Sequence, residues 1–305
     1  MNLIDNKKIL LDTNVYINYF EKQADSIEVK KFKSLLRNDE YCLVTSIYNI
    51  AELANVDVLS EQTKSLVKWI DTIDKLWVHD KWVIQSWEVK KFIYKHYYNF
   101  ENEYEVFTQH LSSCLHEQND RYNPQTNYRM CFPGIKAWDL LRNYHQNKDI
   151  LNQSKIGCTQ GAETIRKAVK DRAYDFDNEE IFYKWIDWSL LPARTTDNKV
   201  ISKNDREILL KWLCKQNRNE ILKNCPAFAV ENYFSKYKRS DVSRTPRDSD
   251  AIDLPILSAA LAYCDYFIVE DRFVKSSANY IRKHAGYAIN ARVCNFEDFL
   301  NDHSE

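Results

Sequence analysis

Strand-like and helix-like segments alternate at the two ends of this chain, and a long aromatic, helical stretch separates them. Alternation of that kind points to an α/β fold with a parallel sheet, here assembled from both ends of the sequence. Ile9-Leu10-Leu11 is a short apolar run that ends in Asp12-Thr13-Asn14. It reads as a buried strand feeding a helix, with Thr13 or Asn14 as N-cap. Tyr41-Cys42-Leu43-Val44-Thr45 is a second strand, rich in residues that suit a sheet. Ser46 can cap the helix that follows, where Ile47, Ile50, Ala51 and Ala54 form an apolar stripe and Glu52 lies off it. Residues 61–75 form another amphipathic helix, and Leu76-Trp77-Val78 a short third strand. Near the other end, Leu257, Ala260, Leu261 and Cys264 share a helical face, and Tyr266-Phe267-Ile268-Val269 is a buried strand running into Glu270-Asp271. Arg292-Val293-Cys294 is the last strand, and Asn295 caps a closing helix with Asp298 three positions on.

From about 82 to 245 the pattern changes. Trp82, Trp87, Phe92 and Tyr94 open a helical, aromatic region that continues through Trp138, Trp185, Trp188 and Trp212, with no alternating strand pattern. Loops are expected near 119–134, 190–204 and 240–250. The expected plan is a discontinuous α/β domain made from 1–81 and 246–305, interrupted by a mainly helical insertion over 82–245. The aromatics are read as the insertion's own core rather than as base-stacking platforms.

Only four of the 305 residues are glycine, which argues against any glycine-rich phosphate loop. Eight cysteines show no CxxC spacing and several sit in apolar runs, so free thiols are expected, and the histidines lack zinc-site spacing. No apolar run is long enough for a membrane helix and the first residues lack a signal-peptide core, so a cytoplasmic protein with no membrane partner is expected. The net charge of −1 is unevenly spread: 194–247 holds 13 Lys/Arg and 6 Asp/Glu, a local +7 that leaves −8 for the remainder. Such asymmetry suits either a nucleic-acid face or a solvated helical surface.

Four acids fall where a sheet-based site would want them. Asp12 ends the first strand, Glu52 lies on the helix after the second, Asp253 opens the helix at 254–264, and Asp271 follows the strand at 266–269. Ligands of open α/β sheets bind beyond the carboxyl ends of the strands. Clustered carboxylates repel unless a cation lies among them, and hard oxygen ligands with open positions select Mg²⁺ or Mn²⁺. Singly, each acid has a plainer reading as a cap, a turn or a solvated residue.

The segments around these acids resemble the motifs of PIN-domain nucleases. Ile9-Leu10-Leu11-Asp12-Thr13-Asn14 is similar to the first motif, and Thr45-Ser46-Ile47-Tyr48-Asn49-Ile50-Ala51-Glu52-Leu53 to the second. Asp253-Leu254-Pro255-Ile256-Leu257-Ser258-Ala259-Ala260 resembles the third and Tyr266-Phe267-Ile268-Val269-Glu270-Asp271-Arg272 the fourth, with Val269 where Thr or Ser is common. The resemblance covers about 1–80 and 248–300, and it departs from a minimal PIN domain in the 201 positions between Glu52 and Asp253. It implies a PIN-like α/β/α sandwich with a central parallel sheet. It also implies Mg²⁺- or Mn²⁺-dependent endonucleolytic hydrolysis of RNA by activated water, leaving a 5′-phosphate.

Asp12, Glu52, Asp253 and Asp271 are then the catalytic residues and metal ligands. Asp250, three residues before Asp253, is an alternative or additional third ligand. Thr13 and Asn14 beside the first acid, with Arg244 and Arg247 from the basic stretch, are assigned to substrate binding; Arg239, Lys236 and Lys238 are further phosphate candidates. A phosphatase of the haloacid-dehalogenase type would need a second Asp two residues after Asp12, where Asn14 stands. A PIN-like scaffold of little activity, binding RNA or a protein partner or self-associating through the insertion, is the rival reading, and DNA cleavage is a third. Toxin, RNA-processing and antiphage roles would look alike in this sequence.

Overall fold

The computed structural model describes residues 3–38, 40–101, 103–115, 133–171, 179–190, 202–240, 245 and 250–303. Six strands form one sheet: β1 (Lys7–Leu11), β2 (Tyr41–Ser46), β3 (Lys75–Val78), β4 (Phe107–Thr108), β5 (Tyr266–Ile268) and β6 (Arg292–Cys294). Their order is β4-β3-β2-β1-β5-β6. The β1–β2, β2–β3, β1–β5 and β5–β6 pairs are parallel, while β4 joins β3 antiparallel. The sheet is therefore mixed rather than wholly parallel. The exception is a two-residue strand within the stretch read from sequence as mainly helical; so short an edge carries no periodicity to detect.

The strands alternate between two apolar layers, as the two-residue period of a strand requires. Ile9, Leu11, Leu43, Trp77 and Ile268 face one layer, and Leu10, Cys42, Val44, Leu76, Val78 and Phe267 the other. Both faces are covered, which explains why the central strands read as continuous apolar runs. The first layer holds α1 (Thr13–Val15), a π-helical segment (Tyr16–Glu21), α2 (Ile27–Leu35), α3 (Ile47–Ala54), α4 (Glu61–Thr72) and α6 (Ala137–Gln146). The closing helix α14 (Phe296–Asp302) joins it, with Asn295 capping through Asp298 N at 2.6 Å.

The second layer holds α5 (Lys81–His96), α8 (Glu179–Leu190), α9 (Lys203–Leu213), α10 (Arg218–Asn224) and α11 (Pro226–Ser240), with α12 (Asp250–Tyr263) and α13 (Arg272–Ala285). A further helix, α7 (Lys148–Lys170), contacts α6, α11 and α12. Helices from the 82–245 stretch thus share an apolar core with the sheet. Two buried polar devices fasten α11 to α5. Glu88 accepts hydrogen bonds from Ala227 N and Phe228 N, at 2.7 and 2.9 Å, and so satisfies the first turn of α11. Lys81 pairs with Glu231 at 2.8 Å, both side chains nearly buried, and Gln85 also donates to Glu231.

Two sequence expectations shift by a few residues. The N-cap after β1 is Asp12 itself, not Thr13 or Asn14. The helix expected to open at Asp253 begins at Asp250, so Pro255 lies inside α12. As the sixth residue of the helix it lies past the first turn, so its missing N–H removes one i→i−4 hydrogen bond. Cys42, Cys114, Cys214, Cys225, Cys264 and Cys294, the cysteines whose side chains are described, are free thiols. Among the described residues, no helix is long and apolar enough to cross a membrane.

Candidate active site

From β1 the chain builds outward to β2 and β3 on one side, and later to β5 and β6 on the other. The topological switch point therefore lies between β1 and β5, the place where open α/β sheets form a crevice at the strands' carboxyl ends. Four strand–helix junctions meet this edge, and an oxygen-bearing N-cap stands at each. Asp12 follows β1, Ser46 ends β2, Asp80 follows β3 and Asp271 follows β5. Each accepts from a backbone N–H of the next helix, because the first turn of a helix leaves such donors unpaired.

Asp12 and Asp271 flank the switch point. Asp12 N donates to Ile268 O at 2.9 Å, which extends the β1–β5 ladder and holds the acid against the end of β5. Its carboxylate accepts from Asn14 Nδ2 at 3.1 Å. Asp271 Oδ1 accepts from Phe273 N at 2.6 Å and Val274 N at 3.2 Å. Burial pushes the Asp12 carboxyl above the ordinary range; the Asn14 bonds oppose this, and the negative charge of Asp271 adds to it. Asp12 is thus a buried acid that feels the charge of a second carboxylate, an electrostatic condition that a bound cation relieves.

Glu52 is half-buried on α3. What places α3 is Asn49, a fully buried side chain that sequence reading passed over. Its Nδ2 donates to Leu11 O at 3.2 Å and Thr13 Oγ1 at 3.1 Å, while its Oδ1 accepts from Ser46 N at 3.0 Å. One amide therefore ties the β1–α1 junction to the β2–α3 junction. Tyr48, one turn before Glu52, donates its hydroxyl to Asp80, which is itself buried and caps α5 through Trp82 N at 2.8 Å. The Ser46-x-x-Asn49 spacing of a capping box was a usable signal for Asn49. Asp80, an acid between a strand and a helix, repeats the placement of Asp12.

The remaining predicted residues divide by location. Thr13 is buried and engaged with Asn49, whereas Asn14 is exposed at the edge with its amide on Asp12. The backbones of Asp250 and Asp253 lie in the first turn of α12, and α12 packs against α3 and α5. The side chains of Asp250, Asp253 and Arg239, and the whole of Arg244 and Arg247, lie outside the described residues. Among the described residues, no three His, Cys, Asp or Glu side chains converge as a metal site, so Glu52 does not close on the Asp12–Asp271 pair. Asp265 sits at the opposite edge, where its carboxylate accepts from Lys8 N at 2.7 Å, and it is structural. Glu270 likewise accepts from Phe296 N and secures α14.

Several bases of the 194–247 stretch have surface partners: Arg206 pairs with Asp187 at 3.1 Å and Lys223 with Glu220 at 3.2 Å. Compared with protein-family models, curated proteins and solved structures, the chain matches none.

Proposed function

We propose that this chain is a metal-dependent endoribonuclease with a PIN-like arrangement, acting at the carboxyl edge of the sheet. The observation that carries the reading is the Asp12–Asp271 pair at the β1–β5 switch point, one member buried and destabilised as an anion. An oxygen-only donor set of this kind fits Mg²⁺ or Mn²⁺ rather than zinc or copper. Bound there, the ion would lower the pKa of a water and polarise a phosphodiester. Asp12 and Asp271 would hold it, with Asp250 or Asp253 from α12 supplying further oxygens, while Glu52 on α3 does not close on the pair. The backbone bond from Asp12 to β5 and the caps on both acids hold the pair in position. Asn14, exposed beside Asp12, is placed to meet substrate. The basic stretch 194–247 supplies positive charge for the RNA backbone, with Arg244 and Arg247 the nearest bases in sequence to Asp250 and Asp253.

The test is incubation of purified protein with mixed single-stranded RNAs and, in parallel, DNAs, in Mn²⁺, Mg²⁺ or EDTA, followed by sequencing of the ends. The expected result is RNA cleavage in Mg²⁺ or Mn²⁺ with 5′-phosphate ends, abolished by EDTA and by Asp12→Asn. Cleavage that persists in EDTA, or is untouched in the Asp12→Asn protein, would overturn the reading.

A further inference from the structure

The first helical layer carries a cavity of about 310 Å³ between the π-helical segment, α2 and α4. That is the lower end of the size range of small-molecule sites. One wall is aromatic: Trp69 stacks on Phe20 with centroids 5.1 Å apart and planes inclined by 22°. Leu66 is buried beneath them. Glu21 lines the cavity at the end of the π-helical segment. Its Oε1 accepts from the hydroxyls of Ser60, at 2.9 Å, and Thr63, at 2.8 Å. The carboxylate is thereby fixed through one oxygen, and among the described residues Oε2 accepts no hydrogen bond. The Lys33 ammonium sits 5.1 Å from the Trp69 centroid.

We propose that this cavity binds a guanine nucleotide, with the base on Trp69, its Watson–Crick edge on Glu21 and its phosphate on Lys33. Bases bind proteins by stacking on aromatic rings and hydrogen bonding along that edge. Guanine alone among the four bases offers two adjacent N–H donors there, N1–H and N2–H, to a carboxylate. Adenine and cytosine set a lone pair beside their amino group, and uracil flanks its one N–H with carbonyls. A base arriving on Trp69 displaces the Lys33 ammonium from the ring, and the phosphate gives that charge a new partner. Partial burial already lowers the Lys33 pKa, so a phosphate contact restores an environment that favours the charged form. The site is distinct from the Asp12–Asp271 edge and its occupancy does not depend on metal or on cleavage.

The experiment is calorimetric titration of the full chain in EDTA with guanosine, GMP, AMP, CMP and UMP. GMP should saturate and bind at least about tenfold more tightly than AMP, CMP or UMP. Glu21→Gln should weaken GMP at least about tenfold, because the amide can turn donors toward donors. Lys33→Ala should abolish the preference for GMP over guanosine, and Trp69→Ala should weaken every nucleotide. Glu21→Gln and Lys33→Ala change no apolar core volume, so they remain informative if Trp69→Ala does not fold. Absence of saturation by GMP at about 10 mM, equal binding of AMP, or unchanged GMP affinity in the folded Glu21→Gln protein would each overturn the proposal.

Discussion

Asp12 and Asp271 are separated by 259 positions, yet they stand at the carboxyl ends of adjacent parallel strands, and the charge of Asp271 contributes to raising the Asp12 pKa. The pairing β1–β5 makes this possible. Among the described residues it is the only strand pairing that joins the first eighty residues to the last sixty.

A divalent cation should stabilise the folded protein through this pair. Mn²⁺ at about 100 times its dissociation constant would add roughly 2.7 kcal/mol. Thermal melts of wild type, Asp12→Asn and Asp271→Asn with increasing Mn²⁺ test it. Asn retains the N-cap acceptor, so both variants should fold. An equal melting shift in all three proteins would remove the pair as a metal site.

The raised Asp12 pKa has a defined sign. The folded state disfavours the charged form, so the contribution of Asp12 to stability is greatest at low pH and declines as pH rises through the carboxylate range toward the folded pKa. Asp12→Asn should flatten that decline in metal-free urea titrations. A steeper decline in the variant would contradict the assignment.

Glu88 offers a second pH-dependent site. It is fully buried, and although Ala227 N, Phe228 N and the Tyr263 hydroxyl favour its anion, burial outweighs them and lifts its carboxyl to about 7. The unfolded chain therefore ionises Glu88 before the folded one does. Stability should fall between about pH 4.5 and 7, by roughly 3 kcal/mol. Glu88→Gln should reduce that slope, measured by urea unfolding at pH 5, 6 and 7. An unchanged slope would assign the dependence elsewhere.

Asn49→Ala removes three buried hydrogen bonds and leaves Leu11 O and Ser46 N without this partner. The cost should be about 2–4 kcal/mol in urea unfolding. Because the amide bonds the residues on either side of Asp12, Asp12 should also lose its placement, and any metal-dependent activity should fall beyond what the stability loss explains at low temperature. A loss below about 1 kcal/mol would show that Asn49 does not join them.

Breaking the Lys81–Glu231 pair with Glu231→Ala should cost about 3–5 kcal/mol, since it strands a buried ammonium. The double variant Lys81→Met/Glu231→Leu should recover most of that loss. A double variant as unstable as the single one would mean that the pair contributes more than mutual charge compensation.

Much of the local structure was legible from residue order. The apolar runs at 9–11, 41–45 and 266–269 became strands, Ser46 and Asn295 became caps, and the acids at 12 and 271 stood at strand ends, because caps and strand periods are set by neighbouring residues. The antiparallel β4 and the start of α12 at Asp250 were missed. Two residues carry no period, and the Asp250-Ala251-Ile252-Asp253-Leu254-Pro255 sequence offers more than one helix start.

The sequence by itself determined the longer strands and the helices that follow them, and which of those strands end in acids. Only the tertiary structure decided that β1 lies between β2 and β5, so that Asp12 shares an edge with Asp271, and that Glu88 meets the first turn of α11 139 and 140 positions away. Strand order and burial are set by non-local packing free energy, summed over contacts between segments far apart in the chain. The alternation of apolar and polar residues within one segment records which face is buried, and carries no information about the partner that buries it.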